Sequence, residues 1–149
     1  MKTKSSNDLT AISLFSGAGG MDIGIRKAGF SILAELEIDK YCCETLRAAV
    51  NREQTNTVVY ETDVKMLDPV QLGLDLRIEP AQLDLLFGGP PCQPFSLAGK
   101  QHGLNDSRGP LLFEIIRFAM HLLPKTILLE QVKGVLSAKD IHGKKGGGV

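Results

Sequence analysis

"TAISLFSGAGGMDIGIRKAGF", residues 10–30, decides how the rest of the chain is read. Residues 10–15 form a short apolar run of strand length, which stops in a cluster of glycines at Gly17, Gly19 and Gly20. Glycine permits the backbone angles that a sharp reversal needs, and residues 21–28 then resume with helical character. A strand that runs through a tight turn straight into a helix is the opening of a βαβ unit, the repeating piece of a parallel sheet covered by helices.

The alternation continues along the chain. Further strands are expected at 31–37, 57–61, 83–87 and 126–129, and further helices at 40–50, 68–78 and 111–123. Gly109 and Pro110 precede the last of these helices and Pro124 follows it, as helix punctuation should. The expected fold class is therefore α/β, a mostly parallel sheet with flanking helices. With 149 residues, 43% of them hydrophobic, the chain can bury one core but not two, so one unit over 1–149 is expected.

Charge narrows the partners only slightly. Seventeen basic and seventeen acidic residues cancel, yet residues 1–96 hold nine basic and thirteen acidic groups while residues 97–149 hold eight and four. The second part is the better suited to meet an anion, although a solvated face often shows the same imbalance. Three cysteines, two of them adjacent at Cys42 and Cys43, make no disulfide framework, and no pair has zinc-site spacing. No metal is expected, and a reducing cytoplasm fits. The polar start "MKTKSSND" leads into no signal-peptide run, and no eighteen consecutive apolar residues occur, so neither secretion by that route nor a membrane span is expected.

In open parallel sheets, ligands bind beyond the carboxyl ends of the strands. The residues that follow each strand are accordingly the place to look: "SGAGG" after the first, Glu37 and Asp39 after the second, Asp63 after the third, "GGPPC" after the fourth and Glu130 after the fifth. The first cluster fails the dinucleotide spacing, because the third glycine would fall at position 22, where Asp22 stands. A ligand without a diphosphate is favoured. Glu37, twenty residues after Gly17, stands where an acid takes the two hydroxyls of a ribose, and Asp63 suits an adenine amino group. The alternatives are structural: Glu37 or Asp39 as caps of the helix near Lys40, and Asp63 as a turn residue.

Cys92 follows two glycines and two prolines, Gly88 to Pro91, which hold it at a defined corner. Free cysteine usually packs inertly, but a strand-end corner is not a core position, and the polar stretch 95–108 that follows suits a lid. His102, His121 and His142 stand at no triad-like position, which weakens a Cys-His protease reading. Glu130 ends the apolar run "TILL" and is expected half-buried or at the cleft, where a carboxyl in low dielectric suits proton donation.

Three stretches, "DLTAISLFSGAGGMDIGIRKAGF", "GGPPCQPFSLAGKQHGLNDSRGPLLFEIIR" and "LLEQVKG", closely resemble the first, fourth to fifth, and sixth motifs of the DNA cytosine-5 methyltransferases. The resemblance implies a Rossmann-like methyltransferase fold, S-adenosylmethionine as cofactor and DNA as the partner carrying the cytosine. It places Phe15, Ser16, Gly17, Gly19 and Gly20 against the methionine end and ribose, Glu37 on the ribose hydroxyls and Asp63 on the adenine. Ile38, Val64 and Pro90 complete the cofactor contacts. It makes Cys92 the nucleophile on carbon 6 of a flipped cytosine and Glu130 the group that contacts ring nitrogen 3 and the amino group. Cytoplasmic location, nucleoid-associated in a prokaryote, and a place in a restriction system follow from the same likeness.

Two departures stand out. The family's Glu-Asn-Val is Glu-Gln-Val here, with Gln131 one methylene longer than the asparagine. The family also continues beyond this point with the rest of its sheet, an arginine-bearing eighth motif, a target-recognition region and a closing helix. A truncated or split enzyme that needs a second chain or segment is expected. A binding module without chemistry, a transfer-RNA methyltransferase relative and an unrelated nucleotide enzyme such as a dehydrogenase are the alternatives.

Overall fold

The computed structural model describes residues 9–91 and 111–133. Cys92, the stretch 95–108, His102 and His142 lie outside the described residues. Ten elements follow in order: β1 (Leu9–Leu14), α1 (Gly20–Lys27), β2 (Phe30–Glu37), α2 (Lys40–Glu53), β3 (Val58–Glu61), a 3-10 turn (Val64–Met66), α3 (Pro69–Leu76), β4 (Leu85–Gly88), α4 (Leu111–Leu122) and β5 (Thr126–Leu129). All five expected strands and all four expected helices form.

The ends differ where single residues impose them. Strand β1 stops at Leu14 because Phe15 takes a left-handed φ of 57°, which no strand can continue through. Helix α3 is shorter than 68–78, since Asp68 caps it by accepting from the Val70 N–H at 2.9 Å and Arg77 ends it in the left-handed region. Asp39 caps α2 in the same way, accepting from the Cys42 N–H at 2.9 Å.

The strands pair in parallel in the order β3-β2-β1-β4-β5. The chain thus winds outward from β1 in one direction and then resumes on its other side with β4, which makes the gap between the ends of β1 and β4 the topological switch point. Helix α1 covers one face, where Ile25 packs with Ala11, Ile32, Leu85 and Phe87; α3 and α4 cover the other, where Leu72, Ile115, Phe118 and Leu122 meet Ile12, Leu14, Leu36 and Leu86. Phe118 is wholly buried, and its truncation to alanine would cost about 3–5 kcal/mol.

A register shift in the β1–β2 pairing sets the phase of the second strand. Ala11 pairs with Ile32 but Ile12 pairs with Ala34, so Leu33 is an extra residue in β2. Beyond it Glu35 pairs with Ser13 and is turned toward α1 instead of the opposite core. At the far end of the strands, Asp84 accepts from the Thr10 N–H at 2.8 Å and from Lys125 Nζ at 2.7 Å, tying the starts of β1, β4 and β5 together.

Candidate active site

The carboxyl ends of the strands bring the expected residues onto one rim. Behind β1, Gly17 and Gly19 both take positive φ, and a Cβ at Gly19 would lie 2.9 Å from Leu46 of α2. The turn is therefore pressed against the next helix and needs glycine for both space and angle. Ser16 continues the β1–β2 ladder by donating its N–H to the Leu36 carbonyl at 3.1 Å, and its hydroxyl meets that of Ser13 at 2.9 Å.

Glu37 is the clamp of this turn. One carboxylate oxygen accepts from the Gly17 N–H at 2.7 Å, and the other from the N–H groups of Ile38 at 2.8 Å and Asp39 at 2.9 Å. A carboxylate has about four acceptor positions, so one is left for a ligand hydroxyl beside the three backbone donors. Ile38 is exposed at the rim. The structural reading of Asp39 as a cap holds, while Glu37 braces the glycine turn and not the helix. Asp63 is half-buried and caps the 3-10 turn, accepting from the Lys65 N–H at 3.0 Å, with Val64 buried behind it.

Between β1, β4 and β5 the rim closes into a cavity of about 160 Å³, lined by Ser13, Phe15, Ser16, Met21, Asp22, Phe87, Gly88, Gly89 and Glu130. A Cβ at Gly88 would stand 2.2 Å from the Leu14 carbonyl oxygen, and one at Gly89 would stand 2.9 Å from Glu130 Oε2. Gly88 is thus demanded by the approach of the backbone, whereas at Gly89 the neighbour is the far end of a flexible side chain. Glu130 extends the β4–β5 ladder, donating its N–H to the Gly88 carbonyl at 3.0 Å. It lies at the cleft, but it is exposed and not half-buried among the described residues, because β5 is the edge strand and is itself exposed along its whole length. The low-dielectric setting expected for it is absent there.

Gln131 resolves the departure in the sixth motif. Its side-chain amide donates to the Pro90 carbonyl at 2.8 Å, and its amide oxygen accepts from the Val132 N–H at 3.0 Å. The longer side chain still reaches the corner, and Pro90 is buried under that tie. A wider hollow of about 710 Å³ opens at the opposite end of the sheet, around Phe30, Gln54 and Thr57, away from every strand-end acid.

One cluster escaped the sequence reading. Asp22 and Glu35 are both wholly buried under α1, with Arg26 between the strand and Glu53. Arg26 is hydrogen-bonded to Glu35 and lies 3.7 Å from Glu53. Burial pushes the Glu35 carboxyl up to about 7 and raises that of Asp22 as well, against the partial relief that Arg26 gives. The legible signals were a charged residue inside the apolar run "SILAELE" and the four-residue spacing of Asp22 and Arg26, which puts both on one helix face.

The family model for C-5 cytosine-specific DNA methylases matches residues 9–145. The chain belongs to this family. It is 45% identical over 126 residues to the Type II methyltransferase M.AquIA of Picosynechococcus sp., covering 85% of this chain and 49% of that one. It is 43% identical over 139 residues to the Type II methyltransferase M.Eco47II of Escherichia coli, covering 91% and 30%. Among solved structures, one described as a DNA modification methyltransferase encoded within an E. coli prophage superposes with a TM-score of 0.68 at 32% identity, over 86% of this chain and 33% of that one. The fold alone is shared with a Pyrococcus abyssi tRNA (uracil-54, C5)-methyltransferase, with a TM-score of 0.52 at 15% identity over 87% of this chain and 26% of that one. This C-5 cytosine methylase chain thus spans half or less of the length of the curated relatives it matches. Among its described residues no helix is long and apolar enough to cross a membrane.

Proposed function

We propose that this chain supplies the amino-terminal catalytic portion of a DNA cytosine-5 methyltransferase that uses S-adenosylmethionine. The observation that carries the reading is the alignment of the glycine turn, Glu37, Asp63, the Gly88-to-Pro91 corner and Glu130 along the one rim of strand ends that contains the switch point of the sheet. The rim suits that cofactor in its donor set: Phe15 to Gly20 offers a backbone turn, Glu37 a free acceptor position for ribose, and Asp63 an acceptor for an adenine amino group. Ile38, Val64 and Pro90 would complete the contacts to the cofactor.

S-adenosylmethionine supplies an electrophilic methyl group when bound; the chain's own residues prepare the cytosine. The base is turned out of the duplex, because its ring cannot be reached within the stack. The Cys92 thiolate forms a bond to carbon 6, and the electron pair of the 5,6 double bond moves to carbon 5, which becomes the nucleophile. Glu130 holds the ring at nitrogen 3 and the amino group, steadying the charge that develops. Loss of the carbon 5 proton to a base then restores the double bond and expels the cysteine. A free thiol has a pKa of about 8.5, so the thiolate needs a neighbour or coupled proton loss.

The partner side of the proposal rests on β5. All four residues of "TILL" are exposed, and Phe113, Ile116, Met120 and Leu123 of the neighbouring helical segment are exposed with them. An apolar parallel edge strand open to water is the kind of surface that a further strand covers. A second segment or chain that carries the target-recognition region fits there, with DNA as substrate.

The first test is calorimetric titration of the chain with S-adenosylmethionine beside Glu37→Ala. Binding that the variant loses supports the cofactor half. Reconstitution with a carboxyl-terminal half from a relative should then give methyl transfer to DNA and a covalent adduct with 5-fluorocytosine DNA, both abolished by Cys92→Ser. Cofactor binding without any adduct would instead favour a binding module, and transfer to RNA in place of DNA would favour the transfer-RNA relatives.

A further inference from the structure

Asp22 is the one wall of the 160 Å³ cavity with an unmet need. It is wholly buried, it lines the cavity, and among the described residues neither of its carboxylate oxygens has a hydrogen-bond partner. Ser13 and Glu35 lie beside it and relieve its carboxyl only in part, against the larger cost of burial. Buried carboxylates are almost always paired. The nearest cation, Arg26 one helical turn away, is committed to Glu35 and faces Glu53. Glu53 also meets Arg52 at 3.2 Å, and the cavity itself is lined by two acids, Asp22 and Glu130, and by no cationic side chain among the described residues. Its described lining supplies no positive charge.

Its size says what would bring that charge. A volume of about 160 Å³ equals roughly five waters at about 30 Å³ each, room for a small amino-acid moiety and not for a nucleoside. It opens beside Phe15 and Ser16, at the start of the glycine turn.

We propose that Asp22 is the anion that receives the ammonium group at the amino-acid end of the cofactor. This deepens the cofactor reading above and rests on it. The glycine that the dinucleotide spacing would want at position 22 is replaced by an acid because the ligand presents a cation there and no diphosphate. Burial raises the Asp22 carboxyl, and an ammonium group seated against it supplies the missing counter-charge.

The test compares S-adenosylmethionine with 5′-methylthioadenosine, which keeps the nucleoside and lacks the amino-acid end, by calorimetry on wild type and Asp22→Asn. The variant keeps the shape and removes the charge, and it should melt no lower than wild type because it relieves a buried carboxyl. It should bind S-adenosylmethionine at least about ten-fold more weakly, as loss of a charge-assisted bond does, while 5′-methylthioadenosine binds within about two-fold of wild type. Asp22→Ala should show the same discrimination and serves if the asparagine variant does not fold. Unchanged affinity for S-adenosylmethionine, or equal losses for both ligands, overturns the proposal while the cofactor reading stands. Failure of wild type to bind either ligand overturns the cofactor reading and this proposal with it.

Discussion

The side-chain amide of Gln131 donates to the carbonyl of Pro90 across the β4–β5 gap, at 2.8 Å. The bond ties the residue after Glu130 to the corner that leads to Cys92, so the two halves of the proposed base site are linked by one side chain. Gln131→Ala should cost only about 1 kcal/mol of stability but slow methyl transfer in the reconstituted enzyme by roughly ten- to a hundred-fold, since small misplacements of reacting groups are expensive. Cofactor affinity should be unchanged. Single-turnover transfer measured beside calorimetry separates the two effects.

Gly88 and Gly89 should respond differently to the same added methyl. At Gly88 the new Cβ meets the backbone oxygen of Leu14 at 2.2 Å, which cannot move without separating β1 from β4. Gly88→Ala is expected to destabilise by about 1–3 kcal/mol or more, read as a lower urea midpoint. At Gly89 the obstacle is the Glu130 carboxylate at 2.9 Å, the far end of a flexible side chain. Gly89→Ala should keep its urea midpoint and lose transfer activity.

The Asp22–Glu35 pair predicts an unusual pH dependence. Because the Glu35 carboxyl is raised from 4.5 to about 7 on folding, the native state holds a proton that the unfolded chain releases. Stability is then greatest below about pH 4.5 and declines as pH rises toward 7, by about 3 kcal/mol at most. Asp22 is raised too and acts in the same sense. Asp84, held low by Lys125 and Thr10, acts in the opposite sense, but only as pH falls below 3.8. Urea unfolding should give a lower free energy at pH 8 than at pH 5.5 in wild type, and Glu35→Gln should flatten that difference.

Glu37 has a structural duty beside its proposed ligand. Its two oxygens accept from three backbone N–H groups, so Glu37→Gln must turn an amide NH2 toward at least one of those donors. A loss of about 1–3 kcal/mol is expected, measured by urea unfolding without ligand. Asp63→Asn, at a half-buried cap with one bond to Lys65, should lose less than about 1 kcal/mol while weakening cofactor binding.

What the amino-acid sequence determined by itself was the series of elements and the rim they point to. Each strand and helix was legible because its apolar period, its cap and its breaker lie within a few residues of one another: Asp39 before α2, Pro124 after α4, the glycines after β1. Tertiary structure alone decided which ends are neighbours. The order β3-β2-β1-β4-β5 lays Glu37 against Gly17 and Glu130 against Gly89, and strand order depends on pairings between residues twenty to more than seventy positions apart. The extra residue at Leu33 is invisible in a local pattern, yet it turns Glu35 under α1 to face Asp22 and Arg26. For Glu130 the apolar run before it allows a half-buried place or one at the cleft, and only the position of β5 at the sheet edge selects the cleft and leaves the residue open to water.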